Sequence, residues 1–444
     1  MNIATLVNAA KLAGSKRFNL SCNLKEFPVE IFDLADTLEI LDLSGNQFSA
    51  LPDDFWRFQK LRILFCSNNH FTRLPEVLGQ CPQLSMVGFK SNKIRSVPAA
   101  SLNKSLRWLI LTDNQITELP AEIGHCTALQ KLMLSGNQLQ SLPAELSNCT
   151  KLELIRIAAN RFLKLPECVN NLPRLSWLAF AGNPVCESFE VIALQQSSMA
   201  KIPWQKLSMQ HTLGEGTSGV IYQAMLTHET ECEMHVAVKL FKGNMTSDGL
   251  PHNEMAACMS AGNHPNLIPV HGQIFDHPDA SAGLVMSVIA PNFFNLAGPP
   301  SLDSCTRDIY IGDTQFTLYQ VLRIAHGIAS AAQQLHAQGI MHGDLYAHNI
   351  LHNADGECFL GDFGAATFFS LAEQANAIAL QHIEVRAFGC LLEELLARCN
   401  ATDDKQNVLT ALKILQLQCL DANSEIRPLF SDLTRSLSAF QAAM

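Results

Sequence analysis

His342-Gly343-Asp344-Leu345-Tyr346-Ala347-His348-Asn349, followed by Gly361-Asp362-Phe363-Gly364, sets a carboxylate, an amide and a second carboxylate in one short span. The two carboxylates, Asp344 and Asp362, are eighteen positions apart. Such a set suits phosphoryl transfer, which needs a base to orient the attacking hydroxyl and metal ligands to neutralise the transferred phosphate. Asp344 has the chemistry of the base, Asn349 and Asp362 that of the ligands. Hard oxygen donors favour Mg2+, which keeps some waters and takes further ligands from substrate phosphates. A bare H-x-D pattern carries little by itself; the residues upstream decide.

Those residues begin at Leu213-Gly214-Glu215-Gly216-Thr217-Ser218-Gly219-Val220-Ile221-Tyr222. A lone G-x-G-x-x-G is shared with dinucleotide-binding turns. Here Val236-Ala237-Val238-Lys239 follows, then Glu254 in a helix-like stretch, then His264-Pro265-Asn266-Leu267. No Lys-Ser or Lys-Thr pair follows the glycines, which excludes a Walker-type phosphate loop. In order and spacing, from about Trp204 to the C-terminus, the chain resembles the protein kinase family. The fifteen positions from Lys239 to Glu254 are similar to that family's interval.

The resemblance implies roles residue by residue, with ATP and Mg2+ as cofactors. Backbone at Gly214, Gly216 and Gly219 would cover the phosphates, where side-chain-free residues allow close approach. Lys239 would hold the α- and β-phosphates and be held by Glu254; these two and Asp344 form the implied catalytic set. Met286 resembles the residue before the hinge, and Leu213, Ile221, Ala237, Ser287 and Ile289 complete the implied nucleotide site. Asn349 and Asp362 would hold the metal. Phe388-Gly389 with Leu391-Leu392 resembles the family's large central helix, with Glu384 where an aspartate is usual, and Arg427-Pro428 resembles its late arginine.

Three departures stand beside these matches. Gly343 replaces an arginine that usually answers a phosphorylated loop, and a phosphate needs a cation to dock on. Tyr346 stands where a lysine usually touches the γ-phosphate, and a phenol is no substitute for a cation. The stretch from Asp362 to Glu384 is short and lacks Ala-Pro-Glu, with Ala372-Glu373 as its nearest remnant and a pairing of Glu373 with Arg427 as the expectation.

Composition bounds the remaining choices. At 444 residues the chain is long enough for about three domains, and 48% hydrophobic with 16% charged residues describes a well-buried protein. A net charge of −10 without a basic stripe argues against nucleic acid or an anionic membrane as main partner. No apolar run reaches a membrane span, and Met1 to Arg17 lacks a signal-peptide core, so a soluble, cytoplasmic protein is expected. The fourteen cysteines contain no C-x-x-C pair, which argues against zinc. Cys81, Cys126 and Cys149 lie three residues before a repeat leucine, in a slot that Phe58 and Leu172 also fill. That slot is apolar core, so buried thiols in a reducing compartment are expected.

The first half carries L-x-x-L-x-L-x-x-N with a period of about 23 residues. Leucines open it at Leu38, Leu61, Leu84, Leu106, Leu129, Leu152 and Leu175; asparagine follows eight positions later each time, from Asn46 to Asn183, with Asn23 as an earlier member. Prolines recur in register from Pro28 to Pro166. This resembles a leucine-rich repeat solenoid of about eight units, with one short strand per unit in a parallel sheet. A capping helix is expected over Asn2 to Lys16 and a closing cap and linker over Glu187 to Lys201. Strand positions between the core leucines should face the concave side, where Phe65, Trp108, Ile110, Met133, Leu154 and Trp177 make an apolar surface. Such a surface marks a protein partner, unless the rings pack on one another or the second half covers them.

The expected architecture is an α/β leucine-rich repeat solenoid (1–190), a short linker (191–203) and an α+β two-lobed kinase-like domain (204–444), its lobes meeting near residue 290. An insertion is expected over 291–314, and Glu393-Glu394 as a solvated helix face. His342, His348 and His352 read as structural histidines, not as a zinc cluster. Three functions remain open: an ATP-dependent kinase of proteins, with serine or threonine as acceptor and the repeats recruiting a partner; a scaffold that binds nucleotide without transfer; and a small-molecule kinase, since H-G-D also occurs there.

Overall fold

The computed structural model describes residues 3–12, 14–195, 199–216, 218–227, 233–243, 245–400 and 405–444. Asn2 and Ala13 of the expected cap, Thr217 of the glycine turn and Gln196–Ser198 of the expected linker lie outside the described residues. The chain divides into two compact units, Met1–Leu175 and Ser176–Met444. No helix among the described residues is long and apolar enough to cross a membrane.

The first unit opens with helix α1 (Ile3–Leu12). Seven three-residue strands follow: β1 (Arg17–Asn19), β2 (Ile40–Asp42), β3 (Ile63–Phe65), β4 (Met86–Gly88), β5 (Trp108–Ile110), β6 (Lys131–Met133) and β7 (Leu154–Arg156). Consecutive strands pair in parallel, with Ile40 facing Ile63 and Met86 facing Trp108. The repeat leucines Leu38, Leu61, Leu84, Leu106, Leu129 and Leu152 are buried. Prolines cap the short 3-10 turns that return the chain, as at Pro75, Pro120 and Pro143.

Each asparagine ties its repeat to the one before. Asn137 donates to the carbonyls of Leu134 (2.8 Å) and Leu111 (2.9 Å) and accepts the N–H of Ile116 (3.0 Å). Asn69, Asn92, Asn114 and Asn160 repeat the pattern. An amide carries both donors and an acceptor, which a carboxylate or a hydroxyl cannot match at this turn. The cysteines of the core slot are buried, and burial pushes the Cys81 and Cys126 thiols up to about 11.

The expected concave-side residues are partly covered. Leu154 is buried, while Phe65, Trp108, Ile110 and Met133 are only half-exposed. Neighbouring strands supply part of the cover: Trp108 Nε1 lies 3.2 Å from the Met133 sulfur, Lys131 Nζ sits 4.5 Å over the Trp108 ring, and the Phe65 ring occupies the space beside Gly88.

The second unit begins with strand β8 (Trp177–Ala179) and helix α2 (Pro184–Gln195). Within the expected linker, residues 191–195 continue α2 and Ala200–Pro203 form a strand of this unit. Its strand β9 (Ala200–Pro203) precedes β10 (Leu207–Glu215), β11 (Gly219–Thr227), β12 (Glu233–Phe241), helix α3 (Pro251–Ser260), β13 (Val270–Phe275) and β14 (Gly283–Ser287). These strands form one sheet in the order β10-β11-β12-β14-β13-β9, antiparallel except where β9 runs parallel to β13. The apolar side chain of Ile202 explains the annexed strand: it joins the core cluster of Leu207, Ala224, Leu226, Val236, Val238 and Val285.

The rest is mainly helical. Short strands β15 (Phe294–Asn295) and β16 (Phe316–Thr317) lead to helix α4 (Leu318–Ala337), which starts with a reciprocal cap between Thr317 and Gln320. Then come β17 (Ile340–Met341), β18 (Ile350–His352), β19 (Cys358–Leu360), β20 (Thr367–Phe368), helix α5 (Gln374–Leu396), β21 (Cys399–Asn400), α6 (Gln406–Cys419) and α7 (Phe430–Ala442). Helices α4 and α5 are buried along most of their length and carry the core.

Candidate active site

Period-two alternation along β12 puts Val236 and Val238 in the core and Ala237 and Lys239 on the opposite face. Ile221 lies opposite Lys239 and Met286 opposite Ala237 in the sheet register. Helix α3 starts with proline in its first turn, where no N–H is missed, and brings Glu254 round to Lys239. The two form an ion pair with Glu254 buried. Burial alone would lower the Lys239 ammonium, but the Glu254 and Asp362 carboxylates outweigh it and hold the group above its usual range. A cleft of about 580 Å³, open to solvent, has Ile221, Lys239, Glu254, Met286, Asp362 and Phe363 in its walls. Leu213, Ala237, Ser287 and Ile289 are not among its wall residues. Leu213 is exposed, and Ser287 bonds His271 through its side chain and Pro269 through its N–H.

The glycines behave unequally. A Cβ at Gly219 would lie 2.6 Å from the Leu240 carbonyl oxygen, so backbone packing demands glycine there. Gly214 and Gly216 face open space, consistent with a turn kept clear for a ligand.

The loop after β17 is held from below. Glu384 of α5 is buried and accepts the N–H groups of Gly343 (2.7 Å) and His342 (3.2 Å). Its Oε2 also meets His336 Nε2 at 2.7 Å. The His342 imidazole reaches the Gly361 carbonyl at 2.8 Å, joining the two acidic stretches. Asn349 Nδ2 donates to Asp344 Oδ2 (2.8 Å) and to the Asp344 carbonyl (2.9 Å). Asp362 adopts a left-handed φ of 51° and accepts the N–H of Gly364 (3.1 Å). A Cβ at Gly364 would lie 3.1 Å from Asp362 Oδ1 and 3.9 Å from Glu254 Oε2, so Gly364 sits beside both carboxylates.

The donor set fits a magnesium–nucleotide complex. Asp362 and Asn349 offer hard oxygens, and among the described residues no group of three or more His, Cys, Asp or Glu could hold a metal ion. Magnesium commonly takes its remaining ligands from water and substrate phosphates.

Several residues that the sequence left without a role complete the site. Asp308, within the expected insertion, accepts the N–H of His348 (3.0 Å) and its Nδ1 (2.8 Å). The insertion is thus a folded brace: Arg307 pairs with Glu393 and Glu394, and the Tyr310 hydroxyl donates to Glu394 at 3.3 Å. Glu394 is accordingly mostly buried, not on a solvated face. Glu373 holds Asn376, while buried Arg427 donates to the carbonyls of Asp421 and His382, so the expected Glu373–Arg427 pairing gives way to backbone contacts. His352 bonds the Asn353 carbonyl.

Trp177 also departs from expectation. Its indole is 1% exposed and stacks on Tyr346 at 4.1 Å with an interplanar angle of 7°. Its Nε1–H donates to the Leu345 carbonyl at 3.1 Å. A ring engaged on both a face and an edge offers nothing to a separate partner.

Comparison with known proteins agrees with this geometry. Residues 207–388 match the family model for protein tyrosine and serine/threonine kinases. Residues 37–58, 82–139 and 104–162 match leucine-rich repeat models. Ephrin type-B receptor 4b of Danio rerio is 30% identical over 168 residues, 37% of this chain and 16% of the receptor. Ephrin type-B receptor 4 of Homo sapiens is 30% identical over 163 residues, 36% of this chain and 15% of the receptor. The chain therefore spans only about a sixth of the length of these relatives. Motif, geometry and family match converge: this chain carries leucine-rich repeats followed by a protein kinase domain.

Proposed function

We propose that the chain transfers the γ-phosphate of Mg·ATP to a protein hydroxyl, serine or threonine in the first instance, with the repeats holding a protein partner. The observation that carries this reading is the Lys239–Glu254 ion pair in a cleft that Asp362 also lines, together with the Asn349 amide bonded to Asp344 on the loop after β17. In this reading Lys239 binds the α- and β-phosphates, and Asp344 accepts the proton of the attacking hydroxyl. Asn349 and Asp362 would hold magnesium, which supplies charge neutralisation at the phosphates when bound. Asn349 also orients Asp344, because its amide donates to one oxygen of that carboxylate.

The test is incubation of the full chain with labelled ATP and Mg2+, followed by phosphoamino-acid mapping. Incorporation on serine or threonine that disappears in Lys239→Met supports the proposal; phosphotyrosine would revise the acceptor. The covered Tyr346 ring favours one second reading, a nucleotide-binding scaffold. Binding of ATP with no incorporation by the wild-type chain would select it.

A further inference from the structure

Strand β8 and helix α2 touch each part of the second unit that a kinase must hold still. Ser176 Oγ accepts from Arg386 Nη1 of α5 at 2.7 Å. Trp177 lies flat on Tyr346 and bonds the Leu345 carbonyl, as described. The Leu178 carbonyl oxygen fills the space beside Gly343: a Cβ there would meet it at 2.5 Å and the Ala365 carbonyl oxygen at 2.6 Å. The N–H of Phe180 donates to Thr367 Oγ1 at 3.2 Å, and the Cys186 thiol donates to the Phe368 carbonyl at 3.7 Å. Helix α2 packs against α3, the helix that carries Glu254, and against β20. One continuous stretch thus grips the Asp344 loop, the segment after Asp362 and the helix of the Lys239–Glu254 pair.

The same contacts give Gly343 a physical reason. Its φ of 75° and the two carbonyl oxygens leave no room for any side chain. No cation can stand there to fix the following segment through a phosphate. Residues 365–368 are fixed by β8 and α2 instead.

We propose that Ser176–Gln195 is a built-in activating strap: it sets the Asp344 loop, residues 365–368 and helix α3 in working register, in place of a phosphate-dependent latch. Trp177 is a positioning residue, acting through Tyr346 and Leu345 without touching a reacting atom. The idea rests on the kinase reading for its rate measurement but not for its structural one.

The experiment uses the full chain with Trp177→Ala, Trp177→Phe and Thr367→Val. We expect Trp177→Ala to lower kcat by roughly 10- to 100-fold, the scale on which small misplacements of reacting groups act. Affinity for a non-hydrolysable ATP analogue should fall less than kcat does, because Trp177 contacts Tyr346 and Leu345 and the Lys239–Glu254 ion pair itself is kept. Trp177→Phe, which keeps a stacking ring, should recover most of the rate, and phosphatase treatment of the wild type should leave its rate unchanged. Trp177→Ala as fast as wild type, or faster, overturns the strap; so does a loss that Trp177→Phe shares in full, or a rate abolished by phosphatase. If Trp177→Ala does not fold, Thr367→Val replaces it in the same comparison. If the wild type transfers no phosphate, the kinase reading fails and amide hydrogen exchange decides the strap. Lost protection over 251–260 and 365–368 in Trp177→Ala, restored in Trp177→Phe, supports it; unchanged exchange refutes it.

Discussion

Glu384 accepts the backbone N–H of Gly343 at 2.7 Å while its other oxygen meets His336 Nε2 at the same distance. The carboxylate is fully buried, so removing it strands two backbone donors and an imidazole without solvent to replace it. Glu384→Ala should therefore cost about 3–5 kcal/mol, read as a shifted denaturation midpoint. Burial pushes this carboxyl up, but the hydrogen bond and charge of His336, the charge of His342 and the Gly343 N–H pull it below its ordinary value near 4.5. A folded-state value below the unfolded one means full stabilisation above about pH 4.5, lost as pH falls through the lower value. Glu384→Gln should flatten that acid limb.

Glu394 should show the opposite slope. Burial, only partly offset by Arg307, pushes it up to about 7. Because the folded state favours the proton, its contribution is complete below about pH 4.5 and declines as pH rises towards 7. Glu394→Gln should abolish that decline and stabilise the protein above pH 7 by about 1–3 kcal/mol. Melting temperature measured from pH 4 to 8 in the two proteins checks it.

Asp344 and Lys239 should separate kinetically. Asp344→Asn should lower phosphate transfer by about 10²–10⁴-fold while sparing affinity for an ATP analogue, since only the proton acceptor is lost. Lys239→Met should weaken nucleotide binding as well, and leave Glu254 buried without its partner. Titration calorimetry beside a transfer assay distinguishes them; equal affinity losses in both variants would contradict the assignment.

In the repeats, Asn137→Ala removes three hydrogen bonds from a buried turn. The Ile116 N–H and two carbonyls lose their partner, at a cost of about 3 kcal/mol. Asn23 is exposed and its Oδ1 accepts from the Gln47 amide at the surface, so Asn23→Ala should cost under about 1 kcal/mol. Urea denaturation of both variants makes the comparison.

Much of this was readable because its signals are periodic or densely ordered. The repeat period marked the seven strands of the first unit. Glu254 was readable because its fifteen-position interval from Lys239 resembles that of the kinase family. Asp308 was not, since a single carboxylate forty residues before His348 carries no local pattern. Trp177 was misread for a related reason: periodicity says that a side chain leaves the strand, but not what stands opposite. The linker failed likewise, because four residues, Ala200–Pro203, are too few to reveal alternation, and β13 recruited them as an edge strand. Glycine at 343 was legible as a gap in charge and became intelligible only with the Leu178 carbonyl in place.

The annexed residues ahead of Leu207 bear on how this polypeptide tolerates cutting. A fragment begun at Leu207, where the family match starts, would lack the parallel edge of the upper sheet and the helix lying on α3. Its Tyr346 ring and the hollow beside Gly343 would meet water directly. An uncovered aromatic face beside an unpaired sheet edge invites clumping. Excised at that point, the second half should come out of solution.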